Sequence, residues 1–136
     1  PVALSCTGAT ASRNYFPALT EAFYRKLPIL AITSTQDESL VGHMIPQILD
    51  RSQQPPDVVK ESVHLQNIKD ENDEWDVTIK ANKALLALNH HGKGPVHINL
   101  STRYSHNFMV KELPVAHKIS RVTPYDIFPE IKKEKI

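Results

Sequence analysis

The sequence predicts an α/β fold, a three-layer sandwich with a mostly parallel sheet flanked by helices. Three observations carry that expectation. The apolar runs Val2-Ala3-Leu4-Ser5-Cys6 and Leu27 to Ile32 bracket a segment with helical periodicity, the pattern of a strand–helix–strand unit. A second helical segment closes at Gly92 and launches another apolar strand, Val96 to Leu100. Ile29 to Ile32 is apolar throughout, as expected of a central parallel strand covered on both faces. Parallel strands put their C-terminal ends on one edge, where open α/β sheets bind ligands.

The first run breaks into the small-residue turn Thr7-Gly8-Ala9-Thr10. A helix is predicted from Ser12 or Asn14 to Lys26, because Ala11, Tyr15, Ala18, Leu19, Ala22 and Phe23 form one apolar stripe. Asn14 suits the N-cap, since Pro17 then falls in the first turn, where a missing N–H is tolerated. Arg25 and Lys26 match the negative end of the helix dipole, and Pro28 prevents continuation. The next strand ends in Thr33-Ser34-Thr35-Gln36, and the chain turns polar as far as Gln54, with a short helical stretch around Ile45 to Arg51. Gln53 to Pro56 reads as a loop and Val58 to Leu65, which alternates, as a short strand. Acidic residues from Asp70 to Asp73 precede a second long helix, Glu74 to about His91, with the stripe Val77, Ala81, Ala84, Leu85 and Leu88. His90 and His91 are expected in its last turn and Gly92 at C′. The strand from Val96 carries two polar teeth, His97 and Asn99. Prolines at 114, 124 and 129 and a lysine-rich end read as a linker.

At 136 residues, 40% hydrophobic and 23% charged, the chain has the size and composition of one globular domain. A formal charge of +1 gives no electrostatic case for nucleic acid or an anionic membrane. No apolar run approaches the ~18 residues of a spanning helix, and no signal-peptide pattern is present. The single Cys6 excludes an internal disulfide framework; within an apolar strand it reads as a buried structural thiol in a reduced, cytoplasmic setting. A chain that opens with Pro1 directly before a buried-type strand reads as a piece excised from a longer polypeptide.

Local motifs leave the chemistry open. The Thr7–Thr10 turn has the small residues of an anion cradle at a helix start, and equally those of a plain strand-to-helix turn; neither G-x-G-x-x-G nor G-x-x-x-x-G-K-[ST] is present. The seven histidines show no metal-ligand spacing, so no metal site is expected from this chain. His97 reads as a surface residue. No serine sits in G-x-S-x-G. Asp37 and Glu38 follow a strand end, with Gln47 and Asp50 beyond, and taken alone are surface loop residues. Trp75 with Ile79 suits packing on the sheet or a subunit contact.

Taken together, five segments resemble the N-terminal, pyrimidine-binding (PYR) domain of thiamine-diphosphate enzymes. The similarity is to the group of acetolactate synthase, benzoylformate decarboxylase and the menaquinone-pathway synthase that joins 2-oxoglutarate to isochorismate. Ser5-Cys6-Thr7-Gly8-Ala9-Thr10-Ala11-Ser12-Arg13-Asn14 fits the family's Ser/Thr-Gly-rich turn ending in Asn. Tyr15 to Ala22 resembles its helix, and Leu30 to Gln36 its strand ending in Thr-Gly-Gln or similar. Ile45-Pro46-Gln47-Ile48-Leu49-Asp50 resembles the loop that presents a glutamine to the active site. Gly94-Pro95-Val96-His97-Ile98-Asn99-Leu100 is close to the Gly-Pro-Val-x-x-x-Leu strand that closes the domain. In one departure, the family's turn has a glycine where this chain has Ala9.

The resemblance implies that residues 1–102 are a partial PYR-like domain, incomplete at the N-terminus, and 103–136 a linker towards a middle domain. It implies a thiamine-diphosphate-dependent 2-oxo-acid decarboxylase or carboligase as the parent, with this piece inactive alone. The glutamate that hydrogen-bonds the cofactor's aminopyrimidine would lie upstream of Pro1, and the Mg²⁺ ligands in a C-terminal domain. Gly8, Ala9 and Thr10 would approach the pyrimidine, with Asn14 fixing their turn; Gln36 would lie near the same edge. Gln47 would face the substrate or intermediate as the catalytic residue. Tyr15, Phe16 and Phe23 would be candidates for the dimer face, with core packing the preferred reading for Phe23. The implied partners are a second subunit, in a homodimer or homotetramer, and a small 2-oxo acid. A non-catalytic α/β module that binds a ligand or partner is the alternative.

Overall fold

The computed structural model describes residues 2–6, 10–36, 38–102 and 111–112. Within them run β1 (Val2–Ser5), α1 (Tyr15–Tyr24), β2 (Ile29–Gln36), β3 (Glu61–Leu65), α2 (Glu71–Ala87) and β4 (Val96–Thr102). The four strands form one parallel sheet in the order β1-β2-β4-β3. Two strand–helix–strand units, β1-α1-β2 and β3-α2-β4, thus lie side by side, and the expected α/β architecture is present. The tail expected as a linker lies outside the described residues, apart from Lys111 and Glu112.

Alternation along the strands separates two cores. On one face Val63, Leu65 and Ile98 pack with Ala84 of α2, joined by Leu30, Leu100, Val77 and Ala81. On the other, Ala31 meets Leu19 of α1 together with Val58 and Val59, flanked by Tyr15, Phe16 and Ile29. Ala31 and Ile98 point opposite ways because Ile32, not Ala31, is the register partner of Ile98. One helix therefore covers each face, giving three layers. Central β2 and β4 are well covered, whereas β1, expected to be a buried-type strand, is an edge strand with Val2 58% exposed. Cys6, just beyond it, is half-buried.

Several boundaries differ from the sequence expectation for identifiable reasons. The first helix opens as a 3₁₀ turn, Thr10–Asn14, and becomes α-helical at Tyr15. Asn14 holds the N-cap position in a helical conformation, and its side chain makes no capping bond; a capping side chain reaches the N2 or N3 amide from an extended backbone. α1 ends as expected near Lys26, whose left-handed backbone (φ 57°) lets the Leu27 amide donate to Ala22 O at 2.9 Å. The stripe on α1 buries Leu19 and Ala22 and leaves Ala18 exposed.

The helix expected around Ile45 to Arg51 does not form; a short 3₁₀ turn, Glu38–Leu40, lies earlier instead. Met44 (φ 57°) and Gln47 (φ 66°) both have left-handed backbones, which no right-handed helix accommodates. β3 starts at Glu61 because the Val58 and Val59 amides turn back to Pro55 O. α2 starts three residues earlier than expected. Asp70, extended at φ −148°, ψ 179°, is its N-cap and accepts from the Asp73 amide at 2.9 Å. The acidic residues expected to precede the helix are its cap and first turn, where carboxylates meet the positive dipole end.

At the other end α2 stops at Ala87, so His90, His91 and Gly92 lie beyond its last turn. The cation that serves its terminal carbonyls is Lys60, whose ammonium donates to Ala87 O at 2.9 Å, His90 O at 2.6 Å and Gly92 O. Trp75 is 67% exposed and does not pack on the sheet, and Leu85 of the expected stripe is also exposed. Asp70→Ala should lower stability by about 1 kcal/mol, because the Asp73 amide loses its acceptor. Thermal unfolding of the variant and the native protein checks this; equal midpoints would show that the cap contributes nothing.

Candidate functional site

Parallel pairing brings the C-terminal ends of β2 and β4 to one edge, and the face above them is polar. Thr33 pairs with Asn99 and Thr35 with Ser101, while Ser62 and His64 of β3 pair with His97 and Asn99. All of these point to the face that α1 covers only at its other end. Thr33 and Thr35 are buried and Asn99 fully so, and His97, expected on the surface, is 1% exposed.

Their hydrogen bonds form one continuous row. His97 lies between Ser62 Oγ (Nδ1, 3.0 Å) and Thr33 Oγ1 (Nε2, 2.8 Å). Thr33 donates its only hydroxyl proton to Asn99 Oδ1 at 2.8 Å. It must therefore accept from His97, which fixes the proton on Nε2 and makes Nδ1 the acceptor for Ser62. The Asn99 amide donates to Thr35 Oγ1 at 3.0 Å and to His64 Nδ1 at 2.8 Å. His64 then meets Glu38 Oε1 through Nε2 at 2.7 Å, and Ser101 donates to the same carboxylate. The row runs from the sheet interior to an exposed rim with each polar atom satisfied, as a buried network requires.

Burial, then the charges of Arg51 and His64, push the His97 imidazole down to about 4 from its ordinary 6.5. Native His97 is uncharged at neutral pH. Below pH 6.5 the unfolded chain binds a proton that the native chain refuses, so stability falls as pH drops from 6.5 towards 4. The loss approaches about 3 kcal/mol at the acid end, at 1.36 kcal/mol per pKa unit. His97→Gln should remove about one proton from that slope in denaturant titrations at several pH values. An unchanged slope would locate the acid sensitivity elsewhere.

Beyond the strand ends, two loops are stitched together. Arg51, 2% exposed, donates from Nε to Ser12 Oγ at 2.8 Å and from its terminal nitrogens to Leu49 O and Gln47 O, both at 3.2 Å. Arg13 donates to Asp50 O at 3.0 Å and lies over the Phe16 ring. The Asp50 carboxyl, accepting from the Ser52 hydroxyl and amide, is held below the usual carboxylate range. The turn after β1 and the loop after β2 are thus joined on the C-terminal edge.

Between them lies a cavity of about 220 Å³ lined by Thr35, Gln36, Pro46, Gln47, Ile48 and Arg51. Of the residues singled out from the sequence, Gln36 and Gln47 meet there. Thr10 and Asn14 are exposed on the neighbouring turn and do not line it. Gly8, Ala9 and Asp37 lie outside the described residues. Tyr15 and Phe16 are half-buried against the α1 core. A larger cavity, about 630 Å³ and lined by Phe23, Lys26, Pro56, Lys60, His91, Gly92 and Lys93, lies at the opposite edge, where the Lys60 ammonium is engaged by helix-end carbonyls. Sequence reasoning missed Arg51, Ser12 and the role of His64. His97 and Asn99 did carry a signal, as polar residues in an otherwise apolar strand.

A chain with this sheet and edge has recognisable relatives. A 2-succinyl-5-enolpyruvyl-6-hydroxy-3-cyclohexene-1-carboxylate synthase of Bacteroides thetaiotaomicron is 38% identical over 129 residues, 94% of this chain and 23% of the relative. That of Phocaeicola vulgatus is 36% identical over 137 residues, 100% of the chain and 25% of the relative. This chain is homologous to these synthases. The same-named enzyme of Geobacillus thermodenitrificans, 34% identical over 106 residues, extends the relationship to 76% of the chain. The resemblance to thiamine-diphosphate enzymes read from the motifs, whose group includes the menaquinone-pathway synthase, is borne out. The chain spans about a quarter of the length of these curated relatives. No protein-family profile matches it. Among the described residues no helix is long and apolar enough to cross a membrane.

Proposed function

We propose that this chain supplies the pyrimidine side of the cofactor site in a thiamine-diphosphate-dependent 2-oxo-acid decarboxylase or carboligase, a synthase like its relatives. The observation that carries the reading is the meeting of Gln36 and Gln47 in one cavity on the C-terminal edge, in a chain homologous to such synthases.

The lining suits the assignment. Thr35, Gln36 and Gln47 offer neutral donors and acceptors, the complement of an uncharged aminopyrimidine. Arg51, which also lines the cavity, gives it the positive charge that suits the carboxylate of a 2-oxo acid. About 220 Å³ is smaller than the ~300–1,000 Å³ of a whole small-molecule site, so it accommodates one end of a cofactor or a small acid. Among the described residues no carboxylate lines the cavity, and the proton-handling glutamate would come from a segment other than this one.

When bound, thiamine diphosphate supplies a carbon nucleophile for the 2-oxo carbonyl and a sink for the electrons left as CO₂ departs. This chain's part is binding and orientation. Gly8, Ala9 and Thr10 would hold the pyrimidine, with Asn14 on the same turn, and Gln36 lines the edge. The Gln47 amide donates to the substrate's carboxylate or carbonyl oxygen. Mg²⁺ and the diphosphate are held by residues outside this chain. Residues 1–102 act as the PYR-like domain, 103–136 as the linker, and the assembly is a cytoplasmic homodimer or homotetramer with the site shared between subunits.

Calorimetric titration of thiamine diphosphate with Mg²⁺ into the full-length protein should show micromolar binding. Gln47→Ala should lower turnover of 2-oxoglutarate on the order of 10- to 100-fold, with cofactor affinity unchanged. Absence of cofactor binding by the full-length protein would refute the assignment.

A further inference from the structure

The loop that carries Gln47 has little regular structure to fix it. Between the 3₁₀ turn at Glu38–Leu40 and β3 no helix or strand forms. Gly42, Met44 and Gln47 all have positive φ, and for the two non-glycine residues that backbone is unfavourable unless the surroundings impose it. The imposing group is identifiable. Arg51 is almost fully buried and engages the loop from its C-terminal side, accepted by Gln47 O and Leu49 O, while its Nε is accepted by Ser12 Oγ of the neighbouring turn. A guanidinium is a rigid planar fork, so these three oxygens are held in a fixed relation that a flexible ammonium would not impose. Holding the carbonyl of Gln47 restrains the backbone that carries its side chain, and Gln47 and Arg51 line the same cavity.

We propose that Arg51 is the positioning residue for Gln47, locking the 44–50 loop against Ser12 so that the glutamine amide faces the substrate; this rests on the substrate-facing role given to Gln47 above. Arg51 acts through the loop and does not itself contact the reacting atoms. Its Nε, held by Ser12, determines where the two donors to the loop carbonyls lie. Ser12 is therefore the second component of the lock.

The test uses the full-length protein and two independent readouts. Amide hydrogen exchange followed by mass spectrometry should show the 44–50 segment exchanging about 10-fold faster in Arg51→Met, and a few-fold faster in Ser12→Ala, with the β4 segment 96–102 unchanged. Arg51→Lys should restore only part of the protection. Unchanged exchange of 44–50 in a folded Arg51→Met overturns the proposal. Should that variant not fold, Ser12→Ala decides in the same way, because it removes one acceptor and no charge.

A double-mutant cycle on 2-oxoglutarate turnover gives the second readout. Arg51→Met should cost on the order of 10- to 100-fold in kcat/KM in the native background and almost nothing in a Gln47→Ala background. The same loss in both backgrounds would overturn the claim that Arg51 acts through Gln47. A loosened loop with undiminished turnover in Gln47→Ala would instead retain the lock and remove the catalytic reading of the glutamine.

Discussion

Asn99 is the residue on which the arrangement turns. It lies at the centre of the sheet, fully buried, on a strand whose neighbours Ile98 and Leu100 point into the α2 core. A buried primary amide without partners costs several kcal/mol, so its position is tolerable only where Thr33, Thr35 and His64 meet it. Those partners exist in one register alone. A slip of one residue between β2 and β4 would turn Asn99 towards the apolar core and Ile98 towards the polar row. The amide therefore selects the strand pairing, and the pairing sets the C-terminal edge on which the cavity is built.

The polar row continues that logic across three strands. Each member has its donors and acceptors used in sequence, which fixes the tautomer of His97 and orients His64 towards Glu38. Burial makes the cost of charging His97 high, and the nearby Arg51 guanidinium raises it further. An uncharged imidazole under a buried cation is a stable pair of neighbours only above the acid range. The chemistry proposed for this edge thus rests on a hydrogen-bonded, neutral floor, beside the loop that Arg51 engages. Rigid support beneath a site-bearing loop is the usual division of labour in α/β enzymes.

Much of the fold was legible because it is written in short-range patterns. The apolar run before Thr33 and the stripe through Leu19 and Ala22 identify a parallel unit from periodicity alone. Boundaries were less legible where one side chain decides them. Asp70 could equally have been a loop residue, and it is the cap only because its backbone is extended there. The missing helix at Ile45–Arg51 has the same character: left-handed φ at Met44 and Gln47 leaves no signature in residues that ordinarily favour helices.

The sequence by itself determined the class of fold and, through five motifs in order along the chain, the resemblance that the homologous synthases bear out. Those motifs also singled out Gln36 and Gln47, which line one cavity. Only the tertiary structure decided that Arg51 and Ser12, 39 positions apart, are partners, that His97 is buried, and that β1 is an edge strand. Periodicity reports which side of an element is apolar, within one or two turns. Which distant polar groups satisfy one another is decided only by strand order and register, which bring β2, β3 and β4 side by side.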